Sequence, residues 1–365
     1  MYIHERKEWP NFTWSDEELL PILSKVRFNQ GRLLGQMEGL GFKLKAEASL
    51  QTLTDDVLKS SEIEGEKLPV DQVRSSIARR LGLDIAGMVQ ADRHVEGVAE
   101  MMVDATQKFD QPLTAERIFG WHAALFPTGR SGMHKITVGD WRKAEDDPMQ
   151  VLSGPMGKER VHFEAPGGAR LKIEMKKFLS WFNQVDNTDL LIKSAVAHLW
   201  FVTIHPMDDG NGRIARALAD MQLSRSDQSS QRFYSMSSQI RIQRKEYYEC
   251  LEKTQRGNLD ITSWLVWFLK CLQRAISSAD EKLAGILNKS KFWEKNCNAI
   301  LNQRQTMIIN KLMDGFEGKL NSSKWSKMAK CSPDTALRDI QGLINQGILQ
   351  KESGGGRSTS YRLMM

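Results

Sequence analysis

Residues 205–216 read His205-Pro206-Met207-Asp208-Asp209-Gly210-Asn211-Gly212-Arg213-Ile214-Ala215-Arg216, and they closely follow an apolar segment, residues 191–203. That segment is apolar on nearly all sides, which predicts a helix buried at the centre of a domain. A Gly-Asn-Gly turn leads from it into a new helix that begins near Arg213. Such a turn leaves backbone N–H groups free at a helix N-terminus, where they can bind an anion. Arg213 and Arg216, three residues apart on one face of the new helix, add charged donors for phosphate oxygens.

Two further side chains of this motif carry chemistry. Asp209 supplies a carboxylate beside the expected phosphates, where a hard cation such as Mg²⁺ binds. His205 can accept a proton near neutral pH. A lone Gly-Asn-Gly is usually only a turn, and a lone His at a helix end is usually structural. Because all these parts occur within one short stretch, the motif predicts an Mg-nucleotide site with a general base.

The motif resembles the signature of Fic-domain proteins, His-Pro-Phe-x-Asp/Glu-Gly-Asn-Gly-Arg-x-x-Arg. It matches that signature at every fixed position except Met207, which replaces the Phe. Met can fill similar apolar space, so the polar residues of the signature are intact. The resemblance covers residues 91–285 and implies a mainly α fold, in which a helical Fic core carries a β-hairpin flap.

The resemblance also implies a reaction, the transfer of AMP from ATP to a Ser, Thr or Tyr hydroxyl of a target protein or of the protein itself. His205 would deprotonate that hydroxyl, and Asp209 would hold Mg²⁺ on the α- and β-phosphates. The phosphate oxygens would contact the loop and the two arginines, that is, Gly210, Asn211, Gly212, Arg213 and Arg216. A kinase-like branch of the family carries Lys at the position of Gly212, so the sequence favours the AMP-transferring branch.

Two further segments resemble parts of the family's site. Residues 135–166 contain three short extended pieces, 136–138, 150–152 and 161–163, separated by Gly, Asp and Pro clusters, which predict a hairpin. Residues 139–142 and 161–166 resemble the two ends of the family's flap. In the family this flap holds a target protein by adding a strand to it, whereas a surface hairpin without a ligand is the simpler interpretation. Tyr247 and Tyr248 resemble a segment that flanks the nucleotide, although core packing of one of them explains the pattern equally well.

An element upstream resembles the family's inhibitory helix, which is expected at about 50–65. Ser60, Glu64 and Gly65 match the pattern Ser/Thr-x-x-x-Glu-Gly/Asn. Ser60 and Glu64 lie four residues apart on one helical face, and Gly65 can end the helix. The resemblance implies that Glu64 pairs with Arg216 and competes with the γ-phosphate of ATP. The alternative interpretation is a solvated patch of neighbouring acidic residues, Glu62, Glu64 and Glu66.

The sequence predicts three domains: a helical N-terminal domain at 1–90, the Fic domain at 91–285 and a winged helix domain at 300–365. Three helices followed by a β-hairpin make the tail resemble the winged helix-turn-helix arrangement. From residue 300 onward there are ten Lys/Arg and five Asp/Glu, so +5 of the formal charge of +6 lies there. The expected recognition helix, 332–344, carries one clear cation, Arg338, so DNA binding and protein contact, including a homodimer, both remain open. Further cations occur on the expected second helix and wing: Lys324, Lys327, Lys330 and Arg357.

Composition excludes other classes of protein. With 41% hydrophobic and 26% charged residues, the chain is neither disordered nor collagen-like. Lys193 and His198 interrupt the longest apolar run, so we expect that the chain is not an integral membrane protein. A charged N-terminus argues against a signal peptide and favours a cytoplasmic location. The four cysteines form no CxxC pair, so we expect neither a disulfide scaffold nor a zinc ribbon.

Two other functions remain open at this stage. One is a winged helix DNA-binding regulator whose Fic domain senses nucleotide. The other is removal of AMP from a modified target at the same site, with Glu64 orienting a water molecule. The sequence identifies neither the target nor the signal that would displace Glu64.

Overall fold

A computed structural model describes residues 1–84, 88–143, 149–153, 160–313, 316, 318–352 and 359–364. The chain divides into two compact units, Met1–Ala279 and Asp280–Met365. The predicted mainly α fold is confirmed, since helices dominate the described residues. None of these helices is both long enough and apolar enough to cross a membrane.

Helices make up most of the first unit. Their bounds are α1 Asp16–Glu38, α2 Phe42–Ile63, α3 Val70–Arg80, α4 Arg93–Gln107, α5 Ala115–Leu125, α6 Leu171–Asn183, α7 Leu190–Ile204, α8 Asn211–Asp227, α9 Met236–Ile242, α10 Arg244–Gln255 and α11 Thr262–Lys295. The unit boundary falls within α11. Short 3₁₀ helices occur at Ile3–Glu5 and Gly168–Arg170.

Two antiparallel hairpins complete the described part of this unit. Their strands are β1 Arg130–Ser131, β2 His134–Lys135, β3 Gln150–Ser153 and β4 Arg160–Glu164. The extended piece expected at 136–138 is not a strand. There the Thr137 N–H donates to Asp208 Oδ2 at 2.7 Å, so a loop side chain replaces the ladder partner. The expected flap also includes 144–148 and 154–159, which lie outside the described residues.

Helix α7 occupies the core of the first unit, as the sequence predicts. Every residue from Leu191 to Ile204 is buried, including the polar His198 and Lys193. Helix α8 packs along α7, and α2 packs against α3, α4 and α9. Helix α2 begins at Phe42, eight residues before the start expected from the pattern, because no Pro or Gly interrupts 42–63. These contacts hold the end of α2 beside the start of α8.

The second unit contains three further helices and a hairpin. Their bounds are α12 Gln303–Met313, α13 Ser322–Ala329, α14 Pro333–Asn345, β5 Leu349–Lys351 and β6 Tyr361–Leu363. Leu320 forms an antiparallel bridge with Tyr361, which extends the hairpin sideways. Asn321 caps α13, because its side chain accepts from the Lys324 N–H at 2.8 Å. Arg357 and the glycine turn at 354–356 lie outside the described residues.

Candidate functional site

The loop between α7 and α8 has two residues in the left-handed conformation. His205 ends α7 at φ 50°, and Gly210 precedes α8 at φ 80°. A Cβ at Gly210 would lie 2.9 Å from the Phe126 ring, so only glycine fits there without a shift. The Asn211 side chain closes the loop, since its Nδ2 donates to Met207 O at 2.8 Å and its Oδ1 accepts from Met207 N at 3.0 Å. The side chain of Asn211 is therefore engaged, and its backbone N–H is the group left for an anion.

His205 is held in the tautomer that a general base requires. Its Nδ1 lies 3.2 Å from the carbonyl oxygen of Val202. Because a carbonyl can only accept, Nδ1 carries the proton and Nε2 of the neutral ring is bare. Burial of the ring lowers the pKa of His205 to about 4, so the neutral form prevails at neutral pH.

Asp209 lies at the tip of the loop. Its Oδ2 accepts a hydrogen bond from Ser131 Oγ, and its Oδ1 accepts from Gly210 N at 2.5 Å. Among the described residues no group of three or more His, Cys, Asp or Glu could hold a metal ion. Magnesium is commonly held by one or two carboxylates together with substrate phosphates. A single carboxylate beside a hydroxyl therefore fits an Mg-nucleotide complex better than a site built from protein ligands alone.

Arg216 is buried and contacts the end of α2 at three points. Its Nε donates to Ser60 Oγ at 2.8 Å, and its Nη2 donates to Ser60 O at 3.0 Å and to Glu64 Oε1 at 2.7 Å. Glu64 lies directly over Gly212, where a Cβ would collide with its carboxylate. Four residues predicted from the sequence therefore lie together: Ser60, Glu64, Gly212 and Arg216.

Arg213 contacts a different acidic residue. Its Nη1 donates to Glu66 Oε2 at 3.2 Å, and its guanidinium lies 5.1 Å from the centre of the Phe126 ring. Glu62, which belongs to the same acidic cluster, pairs instead with Lys59 at 2.7 Å and Arg241 at 3.4 Å. Each of the three neighbouring glutamates therefore has a cationic partner, which differs from the solvated patch considered above.

A cavity of about 410 Å³ opens beside the motif. Its walls include Glu64, His205, Gly212, Tyr247 and Tyr248, together with residues of the β3–β4 hairpin. Tyr247 is buried and its hydroxyl lies 2.8 Å from His198 Nε2, whereas Tyr248 is half-buried and stacks on Arg244. Burial raises the pKa of both phenols, so both are neutral. Both tyrosines therefore border the cavity, and Tyr247 also packs in the core.

The hairpin is anchored beside this cavity by side chains that the sequence did not reveal as partners. Glu252 of α10 binds Arg160 at 2.7 Å and His162 at 2.6 Å, and Arg256 donates to the carbonyls of Val161 and His162. At the other end of the flap, buried Arg142 donates to the carbonyl oxygens of His205 and Pro166.

Sequence reasoning missed four residues of this region: Ser131, Arg142, Glu66 and His94. Arg142 lies in the stretch at 139–142 that was noted as a flap end, so its position carried some signal. The sequence names Glu66 only as part of an acidic cluster, because its partner Arg213 is more than a hundred residues away along the chain, and His94 contacts the site through Glu66.

Comparison with known proteins agrees with this geometry. Residues 112–223 match the model described as the Fic/DOC family, and residues 2–83 match one described as "Domain of unknown function (DUF4172)". A protein adenylyltransferase Fic of Drosophila mojavensis is 25% identical over 239 residues, which cover 64% of this chain and 42% of the relative. The Drosophila virilis protein of the same name is 26% identical over 240 residues, which cover 64% and 43%. This chain thus spans less than half the length of these relatives.

A solved structure shares the fold. The crystal structure of a Fic family protein from Desulfovibrio desulfuricans G20 matches with a TM-score of 0.56 at 20% identity, covering 97% of this chain and 98% of that one. The match to the family model includes the whole of the motif at 205–216. Residues 112–223 of the polypeptide described here therefore match the Fic/DOC family, and its fold is that of a solved Fic family protein.

Proposed function

We propose that this protein transfers AMP from ATP to a hydroxyl group of a protein side chain, and that Glu64 inhibits this reaction. The observation that carries the proposal is the state and place of His205. Its ring is neutral with an unprotonated Nε2, and it lines the same cavity as the first turn of α8. The relatives named protein adenylyltransferase Fic support the same reaction.

The reaction follows from the residues around the cavity. His205 Nε2 takes the proton of the target hydroxyl, whose oxygen then bonds to the α-phosphorus of ATP. The bond between that phosphorus and the bridging oxygen breaks, and pyrophosphate leaves. The backbone N–H groups of the first turn of α8, with Arg213 and Arg216, stabilise the charge on the phosphate oxygens. Asp209 would hold Mg²⁺, which supplies further positive charge to the phosphates. A target segment would lie along the β3–β4 hairpin.

Inhibition is supported by the contacts of Arg216. That guanidinium is only 2% exposed and already bonds Ser60 and Glu64. A phosphate can approach it only if the Glu64 carboxylate moves away. ATP would therefore bind weakly, or in a pose unsuited to in-line attack, while Glu64 stays in place.

The test is labelling with ATP that carries ³²P at the α-position, in the presence of Mg²⁺. We expect Glu64→Ala to increase the label on the protein itself or on proteins of a cell extract, and Glu64→Ala combined with His205→Ala to abolish it. Glu62→Ala is the matched control, because Glu62 contacts neither motif arginine. ATP labelled at the γ-position should give no label. The proposal fails if no variant incorporates α-label while all bind ATP and remain folded.

Duplex DNA binding by the second unit is a second candidate function. The Leu320–Tyr361 bridge adds a third strand position beside the hairpin, as a winged helix has. Three cationic side chains are exposed nearby: Lys327 on α13, Lys330 in the turn after it and Arg338 on α14. Fluorescence anisotropy with random duplex DNA should then show binding that weakens steeply with salt. Binding unchanged by charge reversal at Lys327 and Lys330 would exclude this surface.

A further inference from the structure

Glu66 occupies a fixed position after α2. The Gly65 N–H donates to Glu62 O at 3.1 Å, and the Glu66 N–H donates to Ser61 O at 3.0 Å, while Gly65 is left-handed at φ 88°. This pair of bonds is the Schellman motif, in which the residue in the place of Glu66 is commonly apolar and packs back on the helix. Here that residue is a carboxylate, and it reaches Arg213 on α8. Glu64 and Glu66 are thus placed by one turn on the two arginines of the motif.

His94 of α4 holds Glu66 from the other side. Its Nε2 lies 2.5 Å from Glu66 Oε1, and its Nδ1 lies 3.2 Å from Leu125 O. The carbonyl can only accept, so Nδ1 carries a proton, and Nε2 faces the carboxylate at ion-pair distance. We take the contact as an imidazolium paired with a carboxylate. In agreement, the bond between them raises the pKa of His94 and lowers that of Glu66.

Glu66 is therefore a bridging carboxylate between two cations, His94 and Arg213. The Arg213 side chain is only 7% exposed, so its guanidinium has little access to solvent while Glu66 is bound. A separate cavity of about 400 Å³ borders Glu66, His94 and Arg213, which gives the carboxylate room to rotate away. Glu66 can thus leave Arg213 without any change in the buried core.

We propose that Glu66 is a second inhibitory carboxylate, held by His94 and bound to Arg213, and that nucleotide must displace it as well as Glu64. This inference rests on the proposed function, because it assigns Arg213 and Arg216 to the phosphates. Removal of Glu64 alone frees Arg216 and leaves Arg213 occupied. A movement of the turn at Gly65 would release both carboxylates together.

The first test is the affinity for ATP, measured by calorimetry on the full chain in wild type, Glu64→Ala, Glu66→Gln and the double variant. Glu66→Gln keeps the size of the side chain and removes its charge. We expect it to tighten ATP binding in the Glu64→Ala background by roughly 1.5- to fivefold, the range for a partly exposed ion pair. Glu62→Gln is the matched control and should leave the affinity unchanged. Weaker ATP binding in Glu66→Gln would overturn the inference, because it would mean that Glu66 positions Arg213 for the nucleotide.

Two readouts separate this inference from the proposed reaction. In NMR titrations, the imidazole of His94 should have a midpoint above 6.5 in wild type and a lower one in Glu66→Gln, whatever the enzyme catalyses. In AMP transfer, the added Glu66→Gln change should lower the KM for ATP more than it alters kcat. Tighter ATP binding without AMP transfer in any variant would retain the second carboxylate and reject the proposed function. An unshifted His94 midpoint would reject the bridge.

Discussion

His205 combines backbone strain with chemistry. It is one of the few non-glycine residues with positive φ among those described, and such a conformation costs about 1–3 kcal/mol. Three bonds hold it: its N–H donates to Phe201 O, its ring to Val202 O, and its carbonyl accepts from Arg142 Nε. The ring orientation is thus fixed from both the α7 side and the flap side.

The His205 ring should gain a proton only well below neutral pH. Since burial lowers the pKa of His205 to about 4, its base form is complete well below neutral pH. We expect the rate of AMP transfer in Glu64→Ala to show no step near pH 6.5, and the His205 ring signal in NMR to titrate far below that pH. A ring that titrates with a midpoint near 6.5 would contradict a neutral base with a lowered pKa.

Arg142 shows how one side chain links several elements. Its backbone N–H donates to Pro206 O at 2.9 Å, while its guanidinium reaches His205 O and Pro166 O. It therefore ties residues near the beginning and the end of the expected flap to the loop that follows α7. Arg142 thus contacts His205 through the backbone of that loop.

At the scale of elements, α4 and α5 cross at a glycine. A Cβ at Gly97 would overlap the backbone carbonyl of Ala124, whereas one at Gly120 would meet nothing within 4 Å. We expect Gly97→Ala to lower the free energy of unfolding by roughly 3 kcal/mol through overpacking. Gly120→Ala should raise it by roughly 0.5–1 kcal/mol through helix propensity. Urea denaturation of the two variants measures both, and equal effects would refute the close crossing.

Helix α2 is anchored one turn before Ser60 by a buried acid. Asp56 Oδ1 accepts from Ser235 Oγ at 2.5 Å, and burial together with the charge of Asp220 raises the pKa of Asp56 well above its usual value. The folded state therefore binds a proton that the unfolded chain releases above pH 3.8, so stability falls as pH rises from there.

Asp56→Asn should remove this dependence. The amide keeps the acceptor for Ser235 and carries no charge, so we expect a higher free energy of unfolding than wild type at neutral pH. The gain should be larger at pH 7.5 than at pH 5. Asp55→Asn, one residue away and half-buried, is the control and should change little. An equal gain at the two pH values would show that Asp56 is ionised in the fold.

Local sequence patterns predicted the positions of helices better than the contacts that those helices make. The apolar run of α7 and the start of α14 beside Ser332 needed only neighbouring residues, and both are found. Residues 136–138 were misassigned because their alternation suits a strand, while Asp208 supplies a competing acceptor. From the sequence, Glu66 looks like a surface charge, because its contact with α8 exists only in the folded chain. Contacts between distant segments are therefore what the sequence alone left out.

At the scale of the whole molecule, the second unit has a hydrophobic core of its own. We therefore expect a substitution in that core to destabilise the second unit alone. Trp325 is fully buried in a cluster made of residues of the second unit, including Ile308, Ile340 and Leu349. Trp325→Ala should cost about 3–5 kcal/mol there. Hydrogen exchange followed by mass spectrometry should show lost protection in α12–α14 and retained protection in α7 and α8. Loss of protection in α7 and α8 as well would mean that the units unfold as one.

The position of the proposed brake along the chain has a consequence in time. Glu64 precedes its partner Arg216 by 152 residues, so a ribosome finishes the carboxylate first. At about 5–20 residues per second, the delay is roughly 8–30 s. When the loop and the arginines emerge, the segment that covers them has long been made and has had time to fold. A nascent chain would therefore contain the inhibitory segment before the motif is complete. The proposed site would then not be present in an uninhibited form during synthesis.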